Sequence, residues 1–215
     1  MIELERCEKL FIDFDGVIVD SNNFKELAIK KSVFEVMGEN KMSIEAINYF
    51  NINAGVSRFK KLSLFYNDEI VKKILSSYSE QCSLFFVEAP PTKGFKSFLQ
   101  YLSKHQNHIK IFILSGGEKK EIYLFLKKNN LLQYFEEILA SPKSKIDHLN
   151  EKKVCKNDIF IGDSKTDLHS SIKTGLKFIL FEGFKSKLSF PHDELIINNV
   201  FLKTNNFSSF LERLI

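Results

Sequence analysis

Residues 9–21 read KLFIDFDGVIVDS. The apolar run over residues 10–14 has the composition of a buried strand, and aspartate is depleted in strands. Yet Asp13 and Asp15 arrive where the run ends, one phenylalanine apart, and Asp20 follows. Two carboxylates at the C-terminal end of a greasy strand need a reason.

The rest of the chain supplies the frame. Four further short β runs follow, at residues 109–114, 137–140, 158–162 and 177–181. Helical patterns separate them. Phe95, Phe98, Leu99 and Leu102 recur at helical spacing; Ile122, Phe125 and Leu126 do the same among lysines; residues 166–174 run into Gly175, a helix C-cap. Strands alternating with helices imply right-handed crossovers and a mostly parallel sheet, an α/β Rossmann-like core. In such sheets ligands bind beyond the carboxyl ends of the strands.

The interval 21–88 breaks that rhythm. It reads as helix throughout, over 23–37, 43–50, 57–66 and 68–86, and Pro90-Pro91 closes it stiffly. The expected organisation is a core of residues 1–20 and 89–215 with a helical cap, residues 21–88, inserted after the first strand.

Composition narrows the function. Hydrophobic residues make up 44% of the 215, enough for a packed core, and the net charge is only +4. The lysines are scattered, without the basic stripe of a nucleic-acid binder. Cys7, Cys82 and Cys155 are odd in number and widely spaced, which argues against a disulfide framework or zinc site. No apolar run approaches the ~20 residues of a membrane span, and no signal peptide is visible. The expectation is a cytoplasmic protein, monomer or weak dimer, with a small partner and neither nucleic acid nor membrane.

Polar clusters close the other strands. ILSGG places Ser115, Gly116 and Gly117; ASPKSK places Lys143 and Lys145; IGDSKTD places Asp163 and Asp167. A parallel sheet brings all of them to one edge with Asp13 and Asp15. Several carboxylates in one crevice repel one another unless a cation neutralises them. No His or Cys accompanies them, so the donor set suits Mg²⁺. A lysine, a serine hydroxyl and the amides of a Gly-Gly turn make an anion cradle. Metal, cradle and carboxylate nucleophile together are the equipment of phosphoryl transfer through an aspartyl-phosphate.

In this order, DFDGVIVDS, ILSGG, SPKSK and GDSKTD resemble the four motifs of the haloacid dehalogenase superfamily, from residue 9 to about 181. The insert resembles that superfamily's C1 cap, shared by phosphoglycolate phosphatase-like enzymes and β-phosphoglucomutase. The resemblance implies Asp13 as nucleophile and Asp15 as general acid/base, and the second aspartate argues against the dehalogenase branch. It implies Asp163 as a Mg²⁺ ligand with Asp13 and the Asp15 carbonyl, Asp167 as direct or water-mediated support, and Ser115 and Gly116 as phosphoryl-binding groups. Either Lys145 or Lys143 would be the charge-neutralising lysine, with Lys145 favoured. The implied activity is a Mg²⁺-dependent phosphatase acting on a small phosphorylated metabolite. The alternatives are a phosphomutase and a non-catalytic binding module.

Several positions stay open on sequence alone. GVSR (residues 55–58) resembles the substrate loop of β-phosphoglucomutase, which would put Arg58, and with it Lys61, over the site to grip a substrate anion. Otherwise the stretch is a helix start in which Ser57 caps and Phe59 and Leu62 pack. Lys25 either faces the crevice or is solvated. Asp167 either supports the metal or caps its helix, and Asp20 suits a cap or hinge. The five histidines share no spacing and read as surface or second-layer residues.

Overall fold

The computed structural model describes residues 4–53, 56–184 and 199–214. Six strands form one sheet: β1 (Lys9–Ile12), β2 (Lys110–Leu114), β3 (Glu137–Leu139), β4 (Ile159–Gly162), β5 (Lys177–Phe181) and β6 (Val200–Thr204). Their order is β3-β2-β1-β4-β5-β6, and every pairing is parallel. Phe11 of β1 pairs with Phe112 on one side and Phe160 on the other.

The strand period of two sorts the core into two layers. Leu10, Ile12, Ile111, Ile113, Ile159, Ile161, Ile179 and Phe181 join one buried cluster. Phe11, Phe112, Leu114, Phe160, Phe178 and Leu180 join the other. Helices α5 (Phe95–His105), α6 (Lys119–Lys128) and α9 (Phe207–Glu212) supply apolar residues to the first layer, and α7 (Lys145–Glu151) and α8 (Lys165–Thr174) to the second. Both faces of the sheet are therefore covered, which is why its strands read as continuous apolar runs.

Between β1 and α5 lie α1 (Asn22–Met37), α2 (Lys41–Ile52), α3 (Arg58–Leu62) and α4 (Asp68–Glu88). The expected helix over 57–66 is shorter: α3 ends at Leu62 and turns carry the chain to Tyr66. Asn40 and Asn67 cap α2 and α4 by accepting from Ser43 N and Ile70 N. The chain leaves β1 through a tight turn in which the Gly16 amide donates to the Val19 carbonyl, 2.9 Å. It returns beside that turn, where the Thr92 hydroxyl and amide donate to the carbonyls of Val17 and Ile18, 2.6 and 2.8 Å. β6 and α9 were not anticipated from the sequence.

The strand order reverses between β1 and β4. The chain steps outward from β1 to β2 and β3, then jumps back to β4. Such a switch point opens a crevice at the carboxyl ends of the two strands. Asp13 follows β1 there, and Asp163 follows β4.

Candidate active site

The crevice is the floor of a cavity of about 490 Å³. Asp13, Asp15, Ser115, Gly116, Gly117, Lys145 and Asp163 line the floor; Arg58, Lys61 and Tyr78 come from the helices between β1 and α5. The motif residues from four separate strand ends therefore do meet.

Asp13 is buried, and its Oδ1 accepts from Lys145 Nζ at 2.8 Å. The same ammonium donates to Asp167 Oδ1 at 2.5 Å. Lys143 instead points outward and pairs with Glu151 at 2.6 Å on the surface. That settles which of the two lysines reaches the carboxylates. Ser144 caps α7 by accepting from the Asp147 amide, so Lys145 is the first helical residue and projects back towards β1. His148, on the same helix, is buried against the Ala140 carbonyl at 2.9 Å, the second of the two places, surface or second layer, read for the histidines. His105, His108 and His169 are exposed, and His192 lies outside the described residues.

Asp167 is fully buried, and the capping reading of it is what its hydrogen bonds show. Its Oδ2 accepts from the Ser164 amide and hydroxyl, closing a capping box at the start of α8, while Oδ1 faces Lys145. Asp13, Asp163 and Asp167 each bring a carboxylate oxygen within 4.8 Å of the others. Asn22 Nδ2 donates to Asp163 Oδ2 at 3.2 Å. Gly16 is required between these groups: its φ is +77°, and a Cβ there would collide with Asp163 Oδ2 and Asn22 Nδ2.

Asp15 is held differently. Ser21 Oγ and Lys25 Nζ each lie 2.5 Å from its Oδ1. Lys25 is thus in the crevice rather than solvated. Ser21, not Asp20, is the N-cap residue of α1, and its hydroxyl serves Asp15 instead of the helix; Asp20 is exposed.

Ser115 Oγ accepts from the Gly117 amide at 3.0 Å, which leaves its proton for another acceptor. Ser141 clamps the turn by donating its hydroxyl to the Gly116 carbonyl at 2.9 Å and its amide to the Gly117 carbonyl at 3.1 Å. A Cβ on Gly117 would stand 3.2 Å from Ser115 Oγ, 3.4 Å from Asp15 Oδ2 and 3.8 Å from Lys25 Nζ. Hydroxyl, carboxylate, ammonium and turn backbone thus converge on one small volume.

Arg58 is where the sequence was least able to help. Its guanidinium lines the cavity but forms a bidentate pair with Glu121 of α6, with both N–O distances 2.7 Å and both side chains buried. Glu121 lies 63 residues away in the chain, and nothing local in the sequence marks it as a partner. Lys61 is also buried; its Nζ donates to the Phe50 carbonyl at 2.9 Å and sits 3.6 Å from the centre of that ring. Ser57 precedes α3 without a side-chain capping bond, and Phe59 is partly exposed, while Leu62 packs as expected. Gly55 of the GVSR stretch lies outside the described residues.

The electrostatics follow from this geometry. Burial drives the Asp13 carboxyl well above its ordinary value; Lys145 opposes that, while Asp167, Asp163 and Asp15 reinforce it. Burial, with Asp167 next, pushes Asp163 up to about 7. For Asp15, burial is again the largest influence, but Lys25, the Ser21 hydrogen bond and Arg58 outweigh it and leave the group below its usual range. Lys145 is raised: burial disfavours its charge, but Asp13 and Asp167 more than compensate. Three carboxylates with one lysine between them leave uncompensated negative charge at Asp13 and Asp163. Their oxygen-only donor set fits a hard divalent cation.

A model of the haloacid dehalogenase-like hydrolases matches residues 10–181. The chain belongs to that family. The family is one of hydrolases. No curated protein sequence matches it. Among solved structures it is similar to a haloacid dehalogenase-like hydrolase from Streptococcus pneumoniae, with TM-score 0.69, 17% identity, and 97% of this chain and 99% of that one covered. It is similar to a protein described as a predicted phosphoglycolate phosphatase from Haemophilus somnus, with TM-score 0.72, 13% identity, and 97% and 98% covered. It is also similar to a mutant of CbbY from Rhodobacter sphaeroides in complex with xylulose-(1,5)bisphosphate, with TM-score 0.71, 13% identity, and 94% and 95% covered.

Proposed function

We propose that this chain is a Mg²⁺-dependent phosphatase that hydrolyses a small phosphorylated metabolite through an aspartyl-phosphate on Asp13. The observation that carries the reading is buried Asp13, held by Lys145 through one carboxylate oxygen, at the floor of a cavity that Ser115 and Asp15 share. Asp13, Asp163 and Asp167, with the Asp15 carbonyl, would hold Mg²⁺, which supplies charge neutralisation for the acidic cluster and the incoming phosphoryl group.

In the first half, an Asp13 oxygen attacks phosphorus, the ester P–O bond breaks, and Asp15 gives a proton to the leaving oxygen. Lys145 opposes the burial that disfavours the Asp13 carboxylate, and a bound Mg²⁺ would supply the remaining positive charge that attack requires. Ser115, with its Oγ proton free, and the amides of the Gly-Gly turn receive the equatorial oxygens. The incoming phosphoryl dianion raises the proton affinity of Asp15, countering Lys25. In the second half, Asp15 takes a proton from water, water oxygen bonds to phosphorus, and the Asp13–phosphorus bond breaks to release inorganic phosphate. Once Asp15 has given up its proton, Lys25 and Ser21 keep it ionised and so able to accept one in this half.

Helices α1–α4 act in this reading as a cap over the crevice, with residues 20–21 and 89–92 as the paired connections. The asparagines Asn23, Asn48 and Asn51 line the upper cavity and suit the hydroxyls of a sugar phosphate. The bisphosphate bound by the CbbY mutant supports the same substrate class.

The test is Mg²⁺-dependent release of inorganic phosphate from p-nitrophenyl phosphate, and from a panel of sugar phosphates, by wild type and Asp13→Asn. Asp13→Asn should lose at least about a thousandfold in kcat, about 4 kcal/mol of barrier. Retention of more than about a tenth of the activity, or isomerisation of a sugar phosphate without phosphate release, would overturn the assignment.

A further inference from the structure

Two lysines reach the crevice floor, and they are committed to different degrees. Lys145 donates to both Asp13 and Asp167, so two of its three N–H groups are taken up by carboxylates. Lys25 comes from the first turn of α1. Its amide donates to the Ser21 carbonyl at 2.8 Å, which sets Ser21 and Lys25 one helical turn apart on one face. Both side chains then meet the same oxygen, Asp15 Oδ1. The Phe86 ring, its centre 5.3 Å from the ammonium, backs the lysine on the side of α4. Among the described residues Asp15 is the only acceptor that the Lys25 ammonium meets, so two N–H groups of a largely buried cation remain for the cavity that it lines.

We propose that Lys25 is a catalytic residue whose ammonium donates to an oxygen of the transferring phosphoryl group, together with Ser115 and the Gly-Gly turn. Three observations support this. A point beside Gly117 lies 3.2 Å from Ser115 Oγ, 3.4 Å from Asp15 Oδ2 and 3.8 Å from Lys25 Nζ, so the ammonium borders the volume that the cradle encloses. Ser21 bonds the same Asp15 oxygen, so Asp15 keeps a partner when Lys25 turns to a phosphoryl oxygen. Both bonds fall on Oδ1, which leaves Oδ2, the oxygen facing the turn, for the proton of the leaving group. Lys25 thus completes, from α1, a cradle whose other parts follow the strands, and the role rests on the phosphatase reading for the identity of the anion.

Two measurements in Mg²⁺ test it on wild type and Lys25→Met: binding of inorganic phosphate, by thermal shift, and hydrolysis of p-nitrophenyl, phenyl and glycerol phosphate, whose leaving groups are successively less acidic. A contact to the phosphoryl group acts alike whatever leaves. Phosphate should therefore bind Lys25→Met about ten- to a hundredfold more weakly, the worth of one charge-assisted hydrogen bond, and kcat/KM should fall by a similar factor for all three esters. Lys25→Arg, which keeps the charge and its donors, should recover part of both. A Lys25 that only positions Asp15 predicts another pattern. Nitrophenolate leaves without a proton, so the loss would be confined to phenyl and glycerol phosphate, and phosphate binding would not move. That pattern would overturn the assignment. Should Lys25→Met fail to fold, Lys25→Gln, which keeps a donor for Asp15 but no charge, carries the same comparison. If phosphate binding depends on Lys25 and wild type turns over no ester, the anion contact stands and the phosphatase reading fails. If the esters are turned over and phosphate binding ignores Lys25, the contact alone falls.

Discussion

Two clusters of charge line the same cavity and are put together by different rules. At the sheet edge, Asp13, Ser115 and Asp163 directly follow three strands and Lys145 opens the helix after a fourth, so parallel topology fixes in advance the edge on which all four sit. In the helices above, Arg58 and Lys61 occupy places that only packing fixes. Arg58 finds its partner on α6, across the boundary between inserted helices and sheet, and Lys61 finds no carboxylate among the described residues. The edge cluster is over-supplied with negative charge and suits a cation. The upper cluster is over-supplied with positive charge and suits an anion.

The largest way to break this comparison is at the Arg58–Glu121 pair. Removing one partner leaves the other buried and uncompensated, a loss of about 3–5 kcal/mol. For a chain of this size that is on the order of ten degrees in melting temperature. Arg58→Met with Glu121→Leu removes both charges and should recover most of the loss. Because the pair joins α3 to α6, a single substitution should also loosen the helices from the sheet before the protein unfolds. Two buried thiols read the difference. Cys82 lies on α4, and the charges of Glu121 and Arg58 act on it; Cys7 lies beside β1. Burial pushes Cys82 up to about 11 and Cys7 up to about 12, so neither reacts until it is uncovered. With the exposed Cys155 replaced by serine, Glu121→Gln should speed labelling of Cys82 far more than that of Cys7. Equal acceleration would mean global unfolding and no separate movement of helices α1–α4.

How much of this the sequence announces follows from the same contrast. Asp13 and Asp15 at the end of an apolar run, with three more polar clusters after later strands, define the edge site because a parallel sheet aligns strand ends whatever the details of packing. The choice between Lys143 and Lys145 was one ambiguity, beside those at Asp167 and Lys25, and the Ser144 cap resolves it by setting which lysine turns inward. Ser21 and Asn22 were legible only as a helix start; that they hold Asp15 and Asp163 depends on how α1 approaches the turn after β1. Glu121 had no local signal, since a glutamate in the first turn of a lysine-rich helix ordinarily reads as solvated. β6 escaped notice for a related reason. It is an edge strand whose residues 200–203 alternate between half-buried and exposed, so it lacks the solid apolar run that marked the inner strands.

A smaller effect sharpens the edge half of the comparison. Asp163 has a native value of about 7 against an ordinary 3.8, and Asp13 is displaced in the same direction. Between those values the folded state binds more protons than the unfolded one, so without metal these groups lose stability as pH rises from about 4 to about 7. Mg²⁺ binds the ionised cluster and should restore it. Melting temperatures in EDTA and in saturating Mg²⁺ should therefore diverge with rising pH, with the larger gain at pH 8 and the smaller at pH 5. A gain from Mg²⁺ that did not grow with pH would mean the carboxylates are not its ligands. Asp13→Asn should raise the melting temperature in EDTA and reduce the gain from Mg²⁺.

The smallest effect tests the upper half, and its sign is opposite. Lys61 falls from an ordinary 10.5 to about 7 in the folded protein, chiefly through burial. Between about 7 and 10.5 the unfolded chain binds the extra proton, so stability attached to this group rises with pH across that window. Below about 7 the buried cation exacts its full penalty, and further acidification adds nothing. Lys61→Met removes the charge and with it the dependence. In EDTA the variant should melt a few degrees above wild type at pH 6, because a kilocalorie is worth about 2–4 °C in a chain of this length. That advantage should shrink as pH is raised through 7 to 9, since wild type then sheds the proton that costs it stability. The edge carboxylates titrate in both proteins alike, so they cancel in the difference curve. A difference that stays constant from pH 6 to 9 would show that Lys61 is neutralised by some group in the free protein, and the contrast between the two clusters would go with it. A difference that grows with pH would mean that the ammonium stabilises the fold, the reverse of what its burial without a carboxylate requires.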